Sequence, residues 1–165
     1  LRIAVNNKII SIDLRKRSNP NKFFKGLLVN YQRTRPEIKN LNNKKIFQFL
    51  KPLKINSEEI ILYKKNFILE GATTNIIFVK NKKLYIPKKN YYIGITLQFI
   101  KKYTKRQIIK TNISFNKIND FDEILLVGSG KGIVALNNIP QLRWKNKRQV
   151  IYKELQELYN LHIER

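Results

Sequence analysis

At 165 residues the chain is long enough to bury one core of ordinary size. Its formal net charge of +23, from 34 Lys and Arg against 11 Asp and Glu, would ordinarily point to nucleic acid or an anionic membrane. The excess is mostly lysine, spread singly and in pairs among abundant Asn, Ile, Tyr and Phe; this is the imprint of A+T-rich codons, and it argues against a dedicated nucleic-acid site, since base readout leans on arginine.

Two short β-strands are predicted at 2–5 and 8–14, rich in Ile and Val and split by the turn signal Asn6-Asn7. A loop at 15–22 leads to a strand at 26–33, and Pro36 predicts extended backbone just before it. A helix is predicted over 40–51, with Leu41, Lys45, Phe47 and Leu50 as a rough apolar face and Pro52 as its stop. Strands follow at 59–63, 76–80 and 83–86. Lys65-Asn66 and the Glu70-Gly71 segment read as the turn between the first two, and Asn81-Lys82 as a tight hairpin turn. Next come a helix at 95–103, a strand at 107–112, a helical turn at 117–120, and apolar strands at 123–127 and 133–136. The chain then reads as an amphipathic helix at 149–162, with Val150, Ile151, Leu155, Leu158 and Leu161 near helical spacing. There is no internal repeat and no low-complexity linker. The expectation is one α+β domain over 1–165, a mixed β core with flanking helices.

Four segments carry the candidate chemistry. Lys39, in Lys-Asn-Leu-Asn, sits where a strand gives way to a helix, a place where an amine can be held rigidly and dehydrated. Lys25, fourteen residues earlier, is the competitor. About thirty residues after Lys39 comes Glu70, one of few acids, flanked by Phe67-Ile68-Leu69 and Gly71-Ala72; a turn or N-cap role is its plain alternative. A lysine amine that forms a Schiff base and a carboxylate that keeps a ring nitrogen protonated are what pyridoxal phosphate chemistry requires. Gly94-Ile95-Thr96 opens a helix, where free N–H groups and the helix dipole favour a phosphate. Gly128-Ser129-Gly130-Lys131-Gly132 follows an apolar strand and could form a second donor nest. It lacks the Walker spacing of a nucleotide-binding loop.

In this order, from about 26 to 136, the four segments resemble the cofactor-binding C-terminal domain of the fold-type IV (class IV aminotransferase) family. That family includes branched-chain and D-amino acid aminotransferases and 4-amino-4-deoxychorismate lyase. The resemblance implies the D-amino acid aminotransferase-like fold and pyridoxal 5'-phosphate as cofactor, with Lys39 forming the internal aldimine and Glu70 pairing with the pyridine nitrogen. It places Thr73 and Thr74 along the cofactor pocket, Asn75 in a supporting role, and Ile95, Thr96, Ser129 and Gly130 at the phosphate. Small-molecule amino-acid or amino-chorismate substrates and a homodimer are implied as well.

Three departures from the family pattern stand out. Asn43 or Lys44 stands where a tyrosine often follows the lysine, the second loop reads Gly-Ser-Gly where a Thr is usual, and the smaller N-terminal domain lies outside this chain. An aminotransferase is the expected activity and the lyase its alternative. A non-catalytic, polyanion-binding basic module is the reading from another class.

The remaining expectations come from what the residues lack. Without cysteine there are no disulfides or thiolate metal sites, and His162 alone cannot make a histidine metal cluster, so no metal is expected. No apolar run is long enough to span a membrane, and no secretory pattern opens the chain. A leucine at the start and no methionine anywhere suggest a native start further upstream. The expected location is the cytoplasm, or the stroma or matrix of an organelle.

Overall fold

The computed structural model describes residues 2–5, 8–14, 20–40 and 43–163. The Asn6-Asn7 turn, most of the 15–22 loop, and Leu41 and Asn42 lie outside the described residues. Twelve strands and three α-helices are formed among them. A separate antiparallel ribbon joins β1 (Arg2–Val5) and β2 (Ile10–Asp13). The remaining strands are β3 (Phe23–Asn30), β4 (Glu58–Lys64), β5 (Phe67–Gly71), β6 (Asn75–Lys80), β7 (Lys83–Pro87), β8 (Ile108–Thr111), β9 (Ile113–Ser114), β10 (Glu123–Gly128), β11 (Gly132–Ile139) and β12 (Trp144–Lys145). They make one sheet in the order β8-β7-β6-β10-β11-β3-β4-β5-β9, with β12 on β11. Parallel pairs occur at β11–β3, β3–β4 and β7–β8; the others are antiparallel.

The two ends of that order, β8 and β9, are joined by Asn112 alone. One residue cannot span an open sheet, because a chain covers at most about 3.5 Å per residue. The sheet therefore curls until its ends meet, and β5 packs against β6 and β7 across the seam.

Alternation along the strands sorts side chains to the two faces of this curl. Ile76, Phe78, Ile124, Leu126, Val134 and Leu136 point inward with Phe24, Ile61 and Trp144. Trp144 is fully buried, and its indole N–H donates to the Phe121 carbonyl at 3.1 Å. The intervening Ile77, Val79, Leu125, Val127, Ile133 and Ala135 face outward. They are covered by α2 (Ile95–Tyr103), through Leu97 and Ile100, and by α3 (Val150–Ile163), through Ile151, Tyr152 and Leu155. α1 (Lys44–Leu50) closes a third cluster over Ile60 and Leu62.

Several elements depart from the sequence reading for identifiable reasons. The Glu70 segment is strand β5 and not a turn, because Ile68 and Glu70 find partners on β4. Both turns read from sequence have paired positive φ, at Lys65-Asn66 (49° and 62°) and Asn81-Lys82 (51° and 59°). That geometry suits the right-handed twist of the flanking strands. Before Pro36 the backbone is left-handed, with φ 50° at Arg35, and not extended. α1 begins at Lys44, later than expected. It buries Ile46 while Phe47 and Lys45 are exposed, so the predicted apolar face is rotated. On α3, Val150 and Leu161 are exposed, and Tyr152 takes a place in the core.

α3 starts without an acid of its own in its first turn. Glu123 of β10, 1 % exposed, supplies the cap: its two oxygens accept from Ile151 N at 3.0 Å and Tyr152 N at 2.8 Å. A negative group there also complements the helix dipole. Glu123→Ala should cost about 2 kcal/mol, since it leaves buried N–H groups unpaired. Urea denaturation measures it, and an unchanged midpoint would mean that α3 caps itself.

Candidate active site

A cavity of about 290 Å³ opens between α1, the 72–75 turn, the start of α2 and the end of β10. Its wall includes Lys39, Glu70, Thr73, Thr74, Ile95 and Ser129, so six of the eight sequence-predicted residues meet there. Thr96 and Gly130 do not line it. Thr96 falls on the buried face of α2 with Leu97 and Ile100 and is 2 % exposed. Its side chain is not part of the cavity wall, while its main chain belongs to the helix start. The competitor Lys25 is exposed on β3, away from the cavity wall.

Glu70 is 2 % exposed at the end of β5. Arg33 grips it with both arms: Nε donates to Oε1 at 2.7 Å, and Nη2 donates to Oε2. The Tyr92 N–H donates to Oε2 at 3.1 Å. Burial pushes the carboxyl above the ordinary glutamate range, while Arg33 and the Tyr92 N–H pull the other way. A carboxylate offers about four acceptor positions, so one remains after these three bonds.

Lys39 lies in the loop before α1 and is exposed, not dehydrated as expected. Its Nζ stands 6.0 Å from the centre of the Tyr92 ring. Tyr92 thus connects the two ends of the candidate pair, its ring facing Lys39 and its N–H bound to Glu70.

The 73–75 turn is fastened from below. Glu59, fully buried on β4, accepts from Thr73 Oγ1 at 2.5 Å, Thr74 Oγ1 at 3.2 Å and Lys131 Nζ at 2.8 Å. Lys131 also donates to Thr73 Oγ1 at 3.1 Å. Both threonine hydroxyls are therefore spent on Glu59. Asn75 ties the turn to the helix start: Nδ2 donates to the Tyr92 carbonyl, and Oδ1 accepts from Gly94 N at 2.9 Å. A Cβ at Gly94 would stand 2.8 Å from that Oδ1, so the close approach requires glycine.

α2 begins at Ile95 without a side-chain cap. The N–H groups of its first turn have no partner within the helix, and the Gly128-Ser129 loop faces the same end of the cavity. The cavity wall thus combines the Glu70–Arg33 pair with the N–H donors of the α2 start.

The sequence reading did not include Arg33, Glu59 or Tyr92, and it placed Lys131 in a donor nest without its pairing to Glu59. A signal existed for Glu59, an acid at the head of the apolar run Ile60-Ile61-Leu62, and for Lys131, a lysine set between two glycines. Among the described residues no group of His, Cys, Asp and Glu could hold a metal, and no helix is long and apolar enough to cross a membrane.

The profile of the family described as amino-transferase class IV matches residues 9–139. A provisionally named branched-chain-amino-acid aminotransferase of Aquifex aeolicus is 28% identical over 109 residues, covering 62% of this chain and 35% of that protein. A provisionally named 4-amino-4-deoxychorismate lyase of Legionella pneumophila superposes with a TM-score of 0.74 at 18% identity, covering 92% of this chain and 60% of that one. An aminotransferase of Brucella abortus bound to the cofactor PLP gives 0.73 at 18% identity, covering 94% and 59%. The chain thus spans about a third of the curated relative and about three fifths of these solved structures.

Proposed function

The chain belongs to the class IV aminotransferases, and from that premise we propose that it is the cofactor-binding part of an enzyme acting on amino acids with pyridoxal 5'-phosphate. The observation that carries this reading is the make-up of the cavity wall. Glu70 keeps one acceptor position for a ring N–H, and the N–H donors of the α2 start line the same cavity and suit a phosphate. A group with a basic ring nitrogen and a phosphate fits that combination.

When bound, the cofactor supplies a sink for the electrons of a broken Cα bond. Lys39 would hold the cofactor through Nζ, and the same amine would move a proton at the substrate Cα. Glu70 holds the proton on the ring nitrogen, backed by Arg33. The main chain of Ile95 and Thr96 and the Ser129 loop bind the phosphate. Thr73 and Thr74 act indirectly, by fixing the turn over Glu59.

Amino acids of the branched-chain or D type are the proposed substrates, with the homodimer as the working assembly. The Legionella resemblance keeps the lyase as a second reading, since Cα proton removal by Lys39 serves both reactions. A keto acid formed from an amino donor supports the first, and 4-aminobenzoate with pyruvate the second.

Borohydride reduction of the full-length protein in the presence of pyridoxal phosphate, followed by peptide mapping, should place the phosphopyridoxyl group on Lys39. Modification of Lys25, or of no lysine, would overturn the assignment.

A further inference from the structure

A second cavity, of about 340 Å³, lies at the seam where the sheet closes. Phe67, Ile68 and Leu69 of β5 form one side of it, Pro87 of β7 another, and Thr111 and Asn112 the β8–β9 junction. It exists because β5 and β7 approach across the seam without pairing: β5 bonds to β4 and β9, and β7 to β6 and β8. Two turns place lysines around this gap, Lys64 and Lys65 from the β4–β5 turn and Lys88 and Lys89 from the segment after β7. Gln32, Asn90 and Asn112 add carboxamides, and the Asn90 amide reaches Gln32 Oε1 at 3.5 Å.

Among the described residues no Asp or Glu lines the cavity. None of the four lysines forms an ion pair among the described residues, whereas Lys80 and Lys131 do. Four lysines line this one cavity and add positive potential to it, which a multivalent anion lowers as it binds. The apolar floor of Phe67, Leu69 and Pro87 suits a carbon skeleton attached to such an anion.

We propose that this seam cavity is a binding site for a small organic ligand with adjacent anionic groups, of the organic diphosphate class. It is separate from the Lys39 cavity. What sets it apart from the lysine-rich surface at large is that its four lysines share one cavity with three carboxamides and an apolar wall.

Inorganic pyrophosphate is the probe, titrated calorimetrically into the full chain at moderate salt, with backbone amide shifts mapped in parallel. Saturable binding is expected, with shifts at Lys65, Phe67, Asn90 and Asn112. Lys88→Gln/Lys89→Gln should weaken it about tenfold, while Lys101→Gln/Lys102→Gln on α2, which removes the same charge, should change it less than about twofold. Equal weakening by both pairs would reduce the effect to general attraction of polyanions. Shifts confined to Ile95 and Ser129 would assign the anion to the first cavity, and absence of saturation would remove the site. Each of these results overturns the proposal, and none bears on Lys39.

Discussion

Replacing Lys131 by methionine should cost about 3 kcal/mol of stability, the lower end of the range for stranding one partner of a buried ion pair. Glu59 is fully buried and the Lys131 side chain is 15 % exposed, their charged atoms 2.8 Å apart. Without the ammonium the carboxylate keeps the Thr73 and Thr74 hydroxyls and the Ile60 N–H, which is why the upper end of the range is not reached. Glu59→Gln on the Lys131→Met background should recover part of the loss, because an amide no longer needs a counter-charge. The midpoint for thermal unfolding should fall by about 6–12 °C in the single variant. A single variant as stable as the parent would show that the threonine hydroxyls alone suffice for Glu59. The functional consequence lies in Thr73, whose hydroxyl contacts both members of the pair at the cavity wall.

Glu70→Gln should leave the cofactor trapped on Lys39 while turnover by the full-length protein falls at least about tenfold, or ~1.4 kcal/mol of barrier. An amide can still bond a ring nitrogen but cannot hold it protonated, and it leaves the Arg33 charge without its partner. The pH dependence separates this role from a structural one. Burial raises the Glu70 carboxyl above the ordinary glutamate range. Its contribution to stability is thus fully present below the unfolded-state value and is lost as pH rises through the folded one. Activity has the opposite sign: it should decline as pH falls through that raised value, because the anion is the working form. The Gln variant should lack this acidic limb. Normal turnover in the variant would leave Glu70 as a structural partner of Arg33 alone.

The sequence by itself determined the features that depend on neighbouring residues. The Asn81-Lys82 turn, the helix start at Gly94, and the alternation that sorts Ile76 and Phe78 from Ile77 and Val79 all follow from local φ preferences and a period of two. The order of the Lys39, Glu70, Ile95 and Ser129 segments was likewise legible, because each is a short run whose chemistry is carried by its own residues.

Tertiary structure alone decided the rest. Strand β5 forms because β4 offers it a partner, which no window around Glu70 can reveal. Arg33 meets Glu70 across 37 positions and Lys131 meets Glu59 across 72, so this lysine acquires its buried partner only when β4 and the β10–β11 turn come together. Thr96 turns inward because the buried face of α2 is fixed by the sheet it covers, whatever its hydroxyl could have donated. The seam cavity, with its lysines drawn from two distant turns, exists because Asn112 forces the ends of the sheet to meet.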